Sequence, residues 1–241
     1  MYDRYLRQII LNQVGEEGQK RLAHAKVAVV GAGGLGSPIL TYLVAAGVGR
    51  IKIIDSDTVS LSDLNRQFLY TEKDISRPKA LAAADKLKEL NSEVGVIGRG
   101  AYLTDENAAT HLAGYDLILG AVDSFEARSV INRASVKLNI PYIDGSVSGF
   151  NGFVMFSCPG ITPCYNCVFP DKPKKDKTTG ILGAIAGTIG SMEANLALQW
   201  LLSGNNPIEN RLLMYDGLKH SLSSIDIKRG DNCPACGGGT E

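Results

Sequence analysis

Residues 26–57, KVAVVGAGGLGSPILTYLVAAGVGRIKIIDSD, limit what this chain can fold into more than any other stretch. They read as strand, glycine turn, helix, strand and acidic end. Residues 27–30 form a short, largely β-branched run suited to a strand buried on both faces. Gly31, Gly33, Gly34 and Gly36 follow at once. Glycines there let the chain turn tightly and let a phosphate approach the backbone. The next helix opens at Ser37-Pro38, since proline suits a first helical position. Its N-terminus would offer free N–H groups and the positive end of a dipole to an anion. Gly47 closes that helix, and residues 50–54 form a second strand. Asp55 then stands where an acid can bond a ribose hydroxyl. Such a turn serves NAD and ATP alike, so the rest of the chain must choose between them.

With 241 residues, the chain can form one large α/β domain or a domain with an appendage. Its 44% hydrophobic and 21% charged content is that of a globular protein with a sizeable core. The formal net charge of zero argues against a broad nucleic-acid or anionic-membrane footprint. The first seven residues are polar, unlike a secretory leader. The most apolar run, 181–192, is too short and too rich in small residues to span a bilayer. Four of the five cysteines fall in two Cys-x-x-Cys pairs, which suggests metal ligands in a reducing compartment. A cytoplasmic protein is expected.

Residues 1–25 read as a polar arm with a helix from about Glu16, carrying Arg4 and Arg7; His24 sits near the end of that helix in a structural role. After Asp57, residues 58–70 form a polar loop at a strand's C-terminal end, where open α/β sheets bind ligands. Asn65, Arg66 and Gln67 in this loop can bond phosphate or base, arginine with a fork of donors. Residues 77–90 are a helix with Pro78 near its start. Lys79 lies in its first turn, where a cation opposes the helix dipole, and that placement marks it as a phosphate ligand. A strand over 94–99 and a short helix over 105–112, which includes His111, come next. The strand 116–120 ends in Ala-Val-Asp-Ser. Asp123 there is either a Mg²⁺ ligand beside a triphosphate or the N-cap of a helix running from Phe125 to about Leu138. Residues 141–145 are another strand. From 147 the pattern changes: 147–157 and 211–228 read as antiparallel strands. Between them lie a polar loop, 163–179, and a long helix, 183–202.

Cys164 and Cys167, with Cys233 and Cys236, are two chelate halves with structural-zinc spacing. Four thiolates close a tetrahedral Zn²⁺ site with no open position, so the ion's role is structural. Cys158 is left over as a small buried side chain.

Taken together, RYLRQI near the start, GAGGLG, DSDTVSLSDLNRQ, RPK, AVD, CYNC and CPAC resemble the family of MoeB, ThiF and HesA, bacterial relatives of ubiquitin-activating enzymes. The resemblance covers essentially the whole chain. It implies a Rossmann-like α/β fold: a mainly parallel sheet with helices on both faces, continued by antiparallel strands, with the zinc site. One domain would cover 1–241, with an arm at 1–25, a nucleotide-binding part at 26–145, and an antiparallel, crossover-loop and zinc part at 146–241. It implies ATP-dependent adenylation of the C-terminal glycine of a small ubiquitin-like sulfur carrier ending in Gly-Gly, for molybdenum cofactor or thiamine synthesis. Carried over, Gly31, Gly33, Gly34 and Gly36 approach the ATP phosphates and Asp55 holds the ribose. Asn65, Arg66 and Lys79 contact phosphates, and Asp123 holds Mg²⁺. Asp57, Ser62, Gln67 and Ser124 complete the nucleotide-binding set. A homodimer is implied, with Arg7 reaching into the partner subunit's ATP site.

The chain departs from the family pattern at two places. Asp63 stands where the family usually has Asn, and a carboxylate beside a triphosphate must face Mg²⁺ or Arg. The loop 175–180 holds no thiol, which excludes a covalent carrier intermediate at that position. Few residues follow Cys236, so sulfur is expected from a separate protein. The basic run 172–177 reads as a solvated loop; the resemblance implies, equally, a mobile crossover above the site, and Gly237–Gly239 reads as a flexible end. Two other functions are consistent with parts of the pattern. An NAD-linked oxidoreductase would use the glycine turn and Asp55 but not Arg66, Lys79 and Asp123. A non-catalytic scaffold for a ubiquitin-like partner would not need a full set of phosphate ligands.

Overall fold

A computed structural model describes residues 3–170, 180–205, 208 and 210–237. The basic run 172–177, most of the thiol-free stretch and the end of the glycine tail lie outside the described residues. The arm is a 3-10 turn, Asp3–Tyr5, followed by α1 (Leu6–Ile9) and α2 (Gly15–His24). Then come β1 (Lys26–Val30), α3 (Gly36–Ala45) and β2 (Arg50–Ile54). Two 3-10 turns, Leu61–Asp63 and Glu72–Asp74, precede α4 (Lys79–Leu90). Next are β3 (Gly95–Arg99), α5 (Ala108–Leu112), β4 (Leu117–Gly120), α6 (Phe125–Leu138), β5 (Tyr142–Ser148) and β6 (Asn151–Ser157). The chain continues through α7 (Tyr165–Val168), α8 (Gly183–Ser203), β7 (Arg211–Asp216) and β8 (Ser221–Asp226).

All eight strands join one sheet in the order β3-β2-β1-β4-β5-β6-β7-β8. The first five are parallel, and β6, β7 and β8 run antiparallel. The period-2 alternation of a strand divides β1 between two cores. Val27 and Val29 pack with Leu22, Ile39, Leu43, Ala83 and Ile189, under α2, α3, α4 and α8. Ala28 and Val30 face Leu112, Ile131, Ala134 and Tyr165, under α5, α6 and α7. Helices therefore cover both faces, which explains why β1 lacks a polar alternate. Among the described residues no helix is long and apolar enough to cross a membrane.

Strand order reverses between β1 and β4: the chain leaves β1 toward β2 and β3, then returns to β4 on the other side. The crevice beyond the carboxyl ends of those two strands is where ligands bind in open α/β sheets. The expected break between strands 141–145 and 147–157 is misplaced. Tyr142 to Ser148 pair residue for residue with Ser157 back to Asn151, so β5 runs on to Ser148. Gly149, at φ +60°, turns the chain into β6, and a two-residue hairpin needs that positive φ. The helix expected over 105–112 shortens to its last turn, because Asn107 Oδ1 accepts from Thr104 N (2.9 Å) and holds the preceding residues in a turn.

Beyond β8 the chain returns to α7 through the four cysteines. Cys164 and Cys233 are buried, and Cys167 and Cys236 are half-buried. Their Sγ atoms all lie within 4.8 Å of one another. Three separations are 3.7 Å (Cys164–Cys167), 3.6 Å (Cys164–Cys233) and 3.3 Å (Cys167–Cys236). A tetrahedral ion with Zn–S bonds of ~2.3 Å has edges of ~3.8 Å, so the cluster fits Zn²⁺. Asn132 of α6 donates to Cys164 Sγ (3.4 Å) and to Asn166 Oδ1 (2.8 Å), and accepts from Tyr165 N (3.0 Å). Cys158 is buried and stands outside the cluster, its amide donating to Thr162 Oγ1 at 2.7 Å. Zinc here would pin the tail to α7, at an apparent affinity of roughly 10–16 kcal/mol in isolated zinc-finger peptides. The two cores do not depend on the ion, so metal removal is expected to loosen the tail before it unfolds the sheet. Cys233→Ser should lose the zinc found by elemental analysis and expose the tail to hydrogen exchange, whereas Cys158→Ser should keep its metal. Equal zinc loss in both variants would contradict this.

Candidate functional site

The glycines of the turn divide into two kinds. Gly31 has φ +98°, and a Cβ there would run into the Ala121 carbonyl; a Cβ on Gly36 would run into the Gly31 carbonyl. These two let the turn pack on itself and on the end of β4. Gly33 and Gly34 face the loop after β2 instead: a Cβ on Gly33 would lie 3.5 Å from Gln67 Nε2, and one on Gly34 3.5 Å from Arg66 Cγ. The amides of Gly33, Gly34 and Leu35 donate to no other described residue. Ser37 donates through both its amide and its hydroxyl to Gly33 O, each at 2.9 Å. Free amides at the start of a ten-residue helix make a cradle for an anion. Gln67 Oε1 beside it is buried and has no hydrogen-bond partner among the described residues.

Asp55 leans over the turn from the end of β2. It accepts from Ala32 N (2.7 Å) and Asp57 N (2.8 Å). Burial pushes its carboxyl above the ordinary range, against the pull of those two amides and of Lys79. Lys79 opens α4 with its side chain buried and its Nζ between Asp57 Oδ2 (3.3 Å) and Asp63 Oδ2 (3.4 Å). The two carboxylates offset the cost of a cation at a helix N-terminus.

Asp63 is the centre of the loop. It accepts from Ser60 N and Ser60 Oγ, both 3.0 Å, and from Gln67 Nε2 at 3.0 Å, and it pairs with Arg66 Nη2 at 3.3 Å. Burial raises its pKa, but the Ser60 hydrogen bonds and the Lys79 charge outweigh that and hold the carboxyl below its ordinary range. This carboxylate thus faces Arg66 and Lys79. Arg66 also donates to Ser62 O (2.9 Å) and Asn65 Oδ1 (3.0 Å), and the Ser62 and Ser60 hydroxyls lie 2.9 Å apart. Asp57, Ser62, Asn65, Arg66, Gln67 and Lys79 therefore form one connected cluster beside the cradle. Tyr70, which sequence reasoning did not single out, locks it in place. Its buried hydroxyl lies 2.8 Å from Ala32 O and 3.2 Å from Lys79 O, joining the turn to α4.

Asp123 stands across the crevice, beyond β4. It is exposed and has no side-chain hydrogen bond or ion pair among the described residues. The cap of α6 is Ser124, extended at φ −107° and accepting from Ala127 N at 3.2 Å. Asp123 is therefore not the N-cap, which leaves its carboxylate open to a cation, whereas the Ser124 hydroxyl is occupied by the cap.

Arg7 is not brought to this site by its own chain. It is exposed on α1, and the arm is tied to the far ends of α3 and α4. Arg4 donates to Leu90 O (3.0 Å), Gln8 to Ala46 O (2.9 Å), and Tyr5 Oη meets Asn91 Nδ2 (2.8 Å) and Glu93 Oε2 (3.1 Å). At ~1.5 Å per residue, those helices put the arm some 15 Å or more from the cradle at their N-termini.

The sequence matches the ThiF family over residues 5–235. It is 44% identical to the sulfur carrier protein adenylyltransferase of Thermus thermophilus, covering 98% of this chain and 90% of that one. It is 37% identical to the sulfur carrier protein ThiS adenylyltransferase of Escherichia coli, covering 98% and 95%. Among solved structures, E. coli MccB with ATP superposes with a TM-score of 0.83 at 20% identity, over 98% of this chain and 80% of that one, a likeness of fold. The chain belongs to the ThiF family.

Proposed function

We propose that the protein uses ATP to adenylate the C-terminal glycine of a small ubiquitin-like sulfur carrier ending in Gly-Gly, for molybdenum cofactor or thiamine synthesis. The observation that carries this reading is the open amide cradle at the strand-order reversal, with Arg66 and Lys79 on one side and an unpaired Asp123 on the other. A triphosphate and a divalent ion need both sides. An NAD-linked oxidoreductase would use the cradle and Asp55 alone, and would leave Lys79, Arg66 and Asp123 without a task.

In this reading Gly33 and Gly34 bring the free amides to the phosphates, and Asp55 takes the ribose. The carrier's carboxylate oxygen bonds the α-phosphorus as the bond to the bridging β-oxygen breaks, and pyrophosphate leaves with the electron pair. Asn65, Arg66 and Lys79 hold the phosphates in line and meet the negative charge that develops on the leaving group. Mg²⁺, held by Asp123, would neutralise phosphate oxygens. No side chain needs to form a covalent bond. Four thiols gathered for a metal fit a reducing cytoplasm.

We also infer a homodimer in which Arg7 enters the partner's site. Support comes from the arm itself: Arg7 is remote from its own cradle, and Leu6, Ile10 and Leu11 beside it are 55%, 64% and 52% exposed. Apolar side chains on so short a segment suit an interface.

ATP–pyrophosphate exchange tests the activity. It should require a carrier with an intact Gly-Gly end, and Asp123→Ala should lower it at least ~10²-fold, the scale of removing one preorganised electrostatic contact. Exchange at the parent rate in Asp123→Ala would remove that residue from the site. Sharing is tested by mixing inactive Arg7→Ala and Asp123→Ala chains under conditions of shown subunit exchange. Mixed dimers hold one site with both native residues, so activity should partly return; none returning would refute the shared site.

A further inference from the structure

Behind the Asp123 loop lies a closed group of ionisable side chains. Arg128 comes from α6, Tyr142 and Asp144 from β5, and Glu193 from α8, and all four are buried. Arg128 Nε lies 3.3 Å from Asp144 Oδ2, and the Tyr142 hydroxyl donates to Asp144 Oδ1 at 2.6 Å. The Glu193 carboxyl packs so close to Gly145 that a Cβ there would overlap it, and neither of its oxygens has a hydrogen-bond partner among the described residues. One carboxyl thus pairs with the guanidinium, and a second is buried nearby without pairing to it. Burial pushes Asp144 up to about 6, and pushes Glu193 well above the ordinary range with help from the Asp144 charge. Both shifts favour the neutral acid at Glu193 over its charged form, and the Asp144 carboxyl is the one that faces Arg128.

Such a group is poorly explained by stability alone. Burying an ion pair costs several kcal/mol per ion, and an apolar replacement of similar volume is often neutral or stabilising. An apolar side chain could not do what Arg128 Nη2 does: it donates to Val122 O at 2.6 Å and to Gly145 O at 3.1 Å. Val122 immediately precedes Asp123. The residue after Asp123 is fixed by its own cap, and Ala121 N donates to Val30 O at 2.7 Å. Asp123 has no side-chain support, so its position depends on its backbone neighbours, and Arg128 is the only side chain among the described residues that holds Val122 O.

We infer that Arg128, steadied by Asp144 and Tyr142, is a positioning residue for the divalent-ion site, fixing the loop from which Asp123 reaches the ion. This rests on the proposed role of Asp123. Arg128 touches neither nucleotide nor ion in this scheme; it acts through the Val122 carbonyl. Groups that orient a metal ligand are worth ~10–100-fold in metal affinity.

The double variant Arg128→Gln with Asp144→Asn removes both charges in balance. Its Mg²⁺ half-saturation in pyrophosphate exchange should rise about 10-fold or more. Binding of a fluorescent ATP analogue without divalent ion should stay within about twofold, since no phosphate ligand is altered. Tyr142→Phe, which removes a single hydroxyl, should shift Mg²⁺ dependence in the same direction by less and serves if the double variant does not fold. A fall in melting temperature with unchanged Mg²⁺ half-saturation would show a structural role only and overturn the proposal. Binding of the fluorescent ATP analogue across a Mg²⁺ titration, run for Asp123→Ala and the Arg128 variants alike, separates the two readings. If Asp123→Ala shifts Mg²⁺ dependence and the Arg128 variants do not, positioning fails while the ion site stands. If Asp123→Ala leaves Mg²⁺ dependence untouched, the ion assignment falls and the positioning role with it.

Discussion

A lysine ammonium cannot be buried alone, and the layout of this site follows from how Lys79 is paired. Its Nζ lies 3.3 Å from Asp57 and 3.4 Å from Asp63. The two partners differ: the Asp63 side chain is 10% exposed and the Asp57 side chain 68%. Asp63 is fixed by four further contacts, from Ser60, Gln67 and Arg66, so it anchors the ammonium. Asp57 is the more exposed partner, the one that a phosphate oxygen would displace under the proposed function. The same Asp63 restrains Arg66, so one carboxylate holds both cations in place.

The rest of the fold brings this pair to the cradle. Lys79 begins α4, and its backbone amide donates to Asp57 O at 2.8 Å, joining the helix start to the chain leaving β2. Tyr70 ties α4 to the glycine turn. The parallel strands deliver the turn after β1, the acidic end of β2 and the Asp123 loop after β4 to one edge of the sheet. The antiparallel half closes the arrangement from behind: α8 packs its Gly183 and Ala186 against the Arg66 loop and Gly34. The Cys₄ cluster and Asn132 hold the middle of α6, the helix whose first turn follows Asp123.

Much of this was legible in the sequence because it depends on local chemistry. The β-branched run into GAGGLG has one sterically reasonable reading, and β1, β2 and α6 fall at or within one residue of the expected bounds. Paired Cys-x-x-Cys spacing announced the four-thiol cluster. The β5–β6 boundary was missed because a hairpin register depends on which partner a strand finds, and Gly149 gave only a weak signal between two apolar runs. Asp63 looked out of place because its partners, Lys79 and Ser60, lie on both sides of it in sequence and meet only after folding. Arg128, Asp144 and Glu193 come from three elements, and none has a neighbouring residue that marks it as buried. Glu193 in particular sits in an otherwise uncharged helix, where a lone acid reads as a solvated position.

The central claim is that this cluster is a triphosphate site whose lysine exchanges a carboxylate for phosphate. A crystal structure with a non-hydrolysable ATP analogue and Mg²⁺ tests it directly. The account predicts phosphates on the amides of Gly33 and Gly34, and Lys79 Nζ moved from Asp57 onto a phosphate oxygen while Asp63 stays within reach. It also predicts the ion on Asp123. Lys79 still paired with both carboxylates, with the phosphates bound elsewhere and Asp123 facing solvent, would contradict it.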